Sequence, residues 1–366
     1  MAHRLQSAAL VLVAAAATAV TTTAPAHAAT EHHDHDPITV VADGLDDPFG
    51  LSAENGRFYV AESGTGEISG IIPGGDGPSV RLADITGLTG VDRRDGTLFY
   101  LTGEAEPGTS GGSTLWTSRR GEPRRALADL MAHELAENPD GQRQFGDDGA
   151  PLDALSNPFA VLAGRGGHEA YAYVADAGAN AVLAVDAKGA VSTFFVPPVV
   201  TTGACEGLEN NDPEHTGCDS VPTGLAWGPD GNLHVSTLGS EAPGAARVYV
   251  LDPHDGSVVE VLDGFTGAVG VAVGDDGSVY VSELLEGAPA TEEPPPGFDI
   301  STVGQVVRVA PDGTRSAAQV TLPVGLRFAG GALYSTAWSV AGAFLGQSGL
   351  GQVVRVDAAA FSPLAD

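Results

Sequence analysis

The chain has 366 residues, 43% of them hydrophobic, with 50 glycines and 24 prolines: enough apolar material for a large core, and too many turn residues for an all-helical protein. Its 47 acidic side chains outnumber 17 basic ones and leave a formal charge of −30, so the surface repels nucleic acid and anionic lipid and attracts cations. A single lysine, Lys188, among abundant Ala and Gly suggests a high-GC bacterial genome.

The first segment has a basic start at Arg4, an apolar run from Ala8 to Val20 and a small-x-small cleavage site at Ala26-His27-Ala28. This reads as a secretory signal peptide over 1–28, because the run is too short to span a bilayer, and it predicts a secreted, extracellular protein. No other stretch is long and apolar enough to cross as a helix. Residues 29–37 contain "EHHDHD" (31–36) and read as a His/Asp-rich disordered linker, with copper, nickel or zinc binding as the alternative.

From residue 38 onward one unit recurs. It consists of an alternating apolar strand, a short Gly-containing turn and a second strand. The copies are "PFGLSAENGRFYVAES" (48–63), "LTGVDRRDGTLFYLTGE" (88–104), "NPFAVLAGRGGHEAYAYVADA" (157–177), "VPTGLAWGPDGNLHVSTL" (221–238), "VGVAVGDDGSVYVSE" (269–283) and "PVGLRFAGGALYSTAW" (323–338). Third strands such as "GANAVLAVDA" and "GQVVRVDA" follow, then fourth strands such as "SVVEVLDGF". Four short strands repeated six times predict an all-β, six-bladed β-propeller over 38–358, with 359–366 as a C-terminal tail. The sixth unit has three strands. "ITVVADGL" (38–45) resembles the fourth strands, so Ile38–Ala42 is expected to complete the last blade and close the ring. The one helix candidate is "RALADLMAHELAEN" (125–138), in a connection.

In such a blade the turns between strands one and two, and between three and four, share one face. Here they are short. The long connections (104–113, 131–156, 200–220, 286–303 and 340–350) all fall on the opposite face, where loops carry function. Second strands end on that elaborated face at Glu62, Asp176 and Glu283, and first strands begin there at Asp47 and Asn157. These five could ring the channel mouth and hold Ca²⁺ or Mg²⁺ through oxygen ligands, with Trp338 and Glu241 nearby. The bland alternative is that they are strand-end residues of an acidic protein. The other first-strand starts (Val221, Gly267, Leu322) are apolar or small, which weighs against a complete metal site. Cys205 and Cys218 are placed to close one loop as a disulfide, in keeping with export; a metal pair with His215 is the alternative, but lacks four ligands at zinc-like spacing. "MAHEL" (131–135) lacks the second histidine of a zinc-protease helix, and no Ser sits in a nucleophile elbow. "TEEPPPGF" (291–298) reads as a stiff exposed loop.

"NPDG…SNPF", the cysteine loop, "VPTGLAWGPDGNLHVSTL" and "GAARVYVLDP" together resemble the ScyD/ScyE family of secreted propellers, over about 38–358. The resemblance implies six blades and export, and it brings no catalytic residues. More loosely, the repeats are similar to NHL-repeat propellers, gluconolactonase-type lactonases and streptogramin lyases. Those enzymes imply a divalent ion at the channel mouth and, for lyases, an acid/base histidine. His133 and His215 lie in elaborated-face loops and fit that role by position; His168 and His254 fall in plain-face turns, and His234 within a strand. Three functions follow. The first is an exported, monomeric binding or interaction module that uses the long loops to take a small molecule, a glycan or a protein. The second is a divalent-metal-dependent hydrolase (lactonase-like) or lyase at the channel mouth. The third is a structural or cell-surface accessory protein.

Overall fold

A computed structural model describes residues 36–166, 170–289 and 295–364. In it the alternating segments pair as expected. After β1 (Ile38–Leu45), blade one is β2 (Pro48–Glu54), β3 (Arg57–Glu62), β4 (Glu67–Ile71) and β5 (Ser79–Leu82). Blade two is β6 (Leu88–Arg94), β7 (Thr97–Thr102), β8 (Thr114–Arg119) and β9 (Arg125–Asp129); helix α1 (Leu130–Glu137) follows. Blade three is β10 (Pro158–Ala163), β11 (Ala172–Asp176), β12 (Ala181–Val185) and β13 (Val191–Phe195). Blade four is β14 (Pro222–Trp227), β15 (Leu233–Thr237), β16 (Ala246–Leu251) and β17 (Val258–Phe265). Blade five is β18 (Ala268–Val273), β19 (Val279–Glu283), β20 (Gln305–Val309) and β21 (Arg315–Gln319). Blade six is β22 (Leu326–Ala329), β23 (Ala332–Ala337), helix α2 (Ala341–Leu345) and β24 (Gly351–Val356), and β25 (Ser362–Pro363) ends the described chain.

The sixth blade is completed by β1, which pairs antiparallel with β24 through Ile38 opposite Val356 and Val40 opposite Val354. The ring therefore closes without an open edge between the two ends of the chain. Each first strand lies beside the first strand of the next blade, from β2 through β22 and back to β2. Glycine makes this approach possible. A Cβ on Gly270 would lie 2.3 Å from the Val324 carbonyl oxygen, and one on Gly325 2.6 Å from that of Phe49. The waist of the channel shrinks to a cavity of about 60 Å³ lined by first-strand backbone.

One local expectation changes. The segment 125–129 is the outer strand of blade two, because β8 needs a fourth-strand partner (Thr117 opposite Arg125); the helix begins only after Asp129, whose side chain caps the Ala132 N–H. The tail is not free over its described part: β25 adds to the edge of β21, and Phe361 packs on Tyr280 with ring centroids 5.8 Å apart. The signal-peptide segment, the histidines of 31–35, His168 and most of the acidic part of 291–298 lie outside the described residues. No helix of the described residues is long and apolar enough to cross a membrane.

Candidate functional site

The four carboxylates and one amide singled out from the sequence sit at the ends of strands on the elaborated face, and each is engaged by neighbouring groups. Glu62 turns back on its own blade and accepts the Asp46 N–H at 2.9 Å. Asp176 accepts the Asn157 N–H at 2.7 Å and the Ser156 hydroxyl at 2.6 Å. Glu283 accepts the Thr266 N–H at 2.8 Å and the Gln305 amide at 2.7 Å. The pattern is shared. In blades one, three and five an acidic residue ends the second strand and ties down the chain that leads into the first. Blades two and four use hydroxyls at this position: Thr102 accepts the Thr114 N–H and Thr237 the Arg247 N–H. Burial raises the pKa of Glu62, Asp176 and Glu283 despite these bonds, that of Asp176 to about 6.

Asp47 performs a second structural task. Its two oxygens accept the Gly342 and Ala343 N–H groups at 2.6 and 3.2 Å and so hold the start of α2. Its backbone is left-handed (φ 46°), as it is at Val221 (53°), Gly267 (56°) and Leu322 (44°), so this is a recurrent turn before the first strand. Asn157 accepts the Glu104 N–H through its Oδ1 at 3.1 Å. Among the described residues no group of three or more His, Cys, Asp or Glu side chains is arranged to hold a metal ion. Asn157 alone of the five lines the channel-mouth cavity described below.

The mouth itself is apolar. Phe49, Phe159, Leu238, Val269, Leu284, Val303, Leu322, Val324 and Val340 form one buried cluster, with Phe49 and Phe159 stacked at a tilt 4.7 Å apart. Beside this plug lies a cavity of about 200 Å³, lined mainly by Phe159, Ala177, Val221, Leu238, Leu284 and Leu285, with Glu241 as its one charged side chain. Glu241 belongs to a left-handed run, Gly239 (φ 63°), Ser240 (51°) and Glu241 (58°), a conformation that costs non-glycine residues roughly 1 kcal/mol or more each. The run is imposed by its surroundings. A Cβ at Gly239 would sit 2.6 Å from the Ala246 nitrogen, and the Ser240 hydroxyl donates to the Asp219 carbonyl at 3.2 Å. Glu241 is solvent-accessible as a residue, yet its surroundings raise its carboxyl pKa by desolvation alone, and its carboxylate has no hydrogen bond or ion pair with the described residues. Trp338 joins the rim of the plug and does not line the cavity.

Cys205 and Cys218 form a disulfide, with S–S 2.08 Å and Cα atoms 5.4 Å apart, at the base of the loop that approaches this face. The histidines among the described residues are placed apart from the cavity. His133 bonds the Thr193 hydroxyl at 3.1 Å, His215 pairs with Asp212 at 2.9 Å, and His234 is buried with its pKa lowered by desolvation.

No protein-family model and no curated protein matches the chain. Solved structures match it in fold. A gluconolactonase from Xanthomonas campestris superposes with TM-score 0.53 at 12% identity, over 87% of this chain and 89% of that one. A calcium-binding regucalcin from Agrobacterium tumefaciens gives 0.50 at 12%, over 90% and 96%. A Bacteroides thetaiotaomicron protein of unknown function gives 0.54 at 11%, over 87% and 74%. At these identities the likeness establishes the propeller fold alone.

Proposed function

We propose that the protein is an exported propeller of the ScyD/ScyE type that binds a small molecule at the channel mouth of its elaborated face. The observation that carries this reading is the cavity of about 200 Å³, with mainly apolar walls, Asn157, Thr223 and Thr266 among its polar lining, and the unpartnered carboxylate of Glu241 as its one charged group. Small-molecule sites combine such walls with a few polar groups that fix orientation. The fitting ligand has a compact apolar body and one amine or hydroxyl donor for Glu241. Export is supported by the leader-like first 28 residues and by the Cys205–Cys218 bridge.

The test is thermal melting of the mature protein against a panel of small apolar amines and alcohols, for wild type, Glu241→Gln and Ala288→Trp, Ala288 being a further lining residue of the cavity. A ligand at about 100 times its dissociation constant stabilises by roughly 2.7 kcal/mol. A melting shift seen in wild type and lost in both variants is expected. Shifts equal in all three proteins, or no shift with any compound, would overturn the reading. The second reading, a lactonase-like enzyme using Ca²⁺ or Mg²⁺ at Glu62, Asp176, Glu283, Asn157 and Asp47, takes its support from the names of the fold neighbours. It requires those side chains to leave their present backbone partners. Lactone hydrolysis that depends on added Ca²⁺ or Mg²⁺ and disappears in Glu283→Gln would select it.

A further inference from the structure

Over blades two and three, on the flank of the elaborated face, α1, the segment 138–144 and the turn after β11 meet in a polar network. Three of its acceptor oxygens are buried without a partner: Glu134 Oε2, Asn138 Oδ1 and Asn180 Oδ1. Bulk water does not reach them, since Glu134 is 3% and Asn180 5% exposed. Buried oxygens are matched as a rule, so three unmatched ones in one network require an explanation.

The orientation of the two amides is fixed by their other halves. Asn180 Nδ2 donates to Asp140 Oδ2 at 3.0 Å, and Asn138 Nδ2 donates to the Gln142 carbonyl at 2.9 Å. Turning either amide over would set oxygen against oxygen. The second oxygen of Glu134 already accepts from Gln144 Nε2 at 2.8 Å, and Asp140 Oδ1 accepts the Gln142 N–H at 2.9 Å. What is missing is therefore a hydrogen-bond donor or a cation. Among the described residues no group donates to the three oxygens, and the charged groups that act most on Glu134 are Asp140, Asp176 and Asp153, all acidic.

We propose that this network is a calcium site, with the Glu134 carboxylate and the amide oxygens of Asn138 and Asn180 as protein ligands, water completing the shell and Asp140 adding charge beside it. The set is one carboxylate with two amides, so it is compatible with the absence of any three-membered acidic or histidine cluster among the described residues. Calcium accepts such mixed, irregular oxygen shells, whereas magnesium demands near-octahedral geometry and keeps its waters. The ion would fasten α1 and the 138–156 connection to the β11–β12 turn, and so set the height of the loops on one side of the elaborated face.

The experiment is calorimetric titration of CaCl₂ into chelator-treated mature protein, with melting curves in CaCl₂ and in EGTA. Wild type, Glu134→Gln, Asn180→Gly and Glu283→Gln are compared. Asn180→Gly keeps a residue that tolerates the left-handed backbone at this position (φ 45°). One Ca²⁺ per chain is expected, with a higher melting point in CaCl₂ than in EGTA. Affinity should fall by about tenfold or more in Glu134→Gln and Asn180→Gly, and stay unchanged in Glu283→Gln. The wild-type comparison stands even where a variant does not fold. Absence of saturable uptake together with a melting point indifferent to EGTA overturns the site, leaving a proton on Glu134 and trapped water as the partners. Binding that survives both variants, or that is lost in Glu283→Gln instead, also overturns it.

Discussion

The end of a second strand shows how one residue type serves two ends. Asp176 lies at that position fully buried and gathers the Ser156 hydroxyl and the Asn157 and Ala179 N–H groups. Glu241 lies a few residues beyond the equivalent point in blade four and touches no donor. Their substitutions should separate cleanly in urea unfolding. Asp176→Ala orphans the buried Ala179 N–H and Ser156 hydroxyl and the half-buried Asn157 N–H, and should cost on the order of 3 kcal/mol or more. Glu241→Gln removes no interaction with the described residues and should stay within about 0.5 kcal/mol of wild type. A strongly destabilised Glu241→Gln would mean that the carboxylate holds the left-handed run in place, and would remove it as a free anchor. The sequence places both acids on the same face of the ring. It does not say which of them spends its oxygens on backbone, because that depends on a turn geometry set by neighbouring blades.

At the level of elements, the strands were legible because alternation with period two and Gly-rich turns are local signals. The closing strand was legible too, since "ITVVADGL" has the pattern of the other fourth strands, and the structure pairs it with β24. The segment 125–129 was not. Its Ala and Leu content favours helix, but the pairing offered by β8 outweighs propensity. Helix α2 has five residues, and its first N–H groups are held by Asp47, 295 positions earlier, a cap that no local reading can find. Two predictions belong here. A chain that begins at Asp46 lacks β1, exposes the edge of β24, and should lose most of its soluble yield; a normal yield with an unchanged melting point would show that closure by β1 is dispensable. Replacing both Cys205 and Cys218 by Ser releases a bridge with a sequence separation of 13, and should lower stability by about 3 kcal/mol, read as a shifted urea midpoint that reductant reproduces in the wild type.

For the whole molecule, charge governs the response to solution conditions. With a formal charge of −30, the folded chain repels itself, and moving from 0.1 to 1 M NaCl shortens the screening length from about 10 to about 3 Å. The melting point should therefore rise with salt, and a fall would show that local ion pairs outweigh the net repulsion. The pH response follows from burial. Asp176 has its pKa raised from 3.8 to about 6, and Glu62, Asp47 and Glu283 are raised as well. A carboxyl of this kind holds its proton more tightly folded than unfolded. Its contribution is complete below pH 3.8 for Asp176 and is lost as pH rises through about 6. In metal-free buffer the melting point should fall between about pH 4 and 6, with a shallower slope in Asp176→Asn; an equal slope in both would assign the effect to other groups. By itself the sequence determined the repeating strand pattern, the sixfold repetition, the closure by the first strand, the disulfide pair and the division into a plain and an elaborated face, because all of these follow from local patterning and turn chemistry. Only the tertiary structure decided that the channel mouth is plugged by apolar side chains, that the strand-end acids clasp their own blades, that Glu241 stands free beside the plug and that three buried oxygens on the flank lack partners. Each of these depends on which backbone donors from distant blades reach a given side chain, a matter fixed by the packing of the ring.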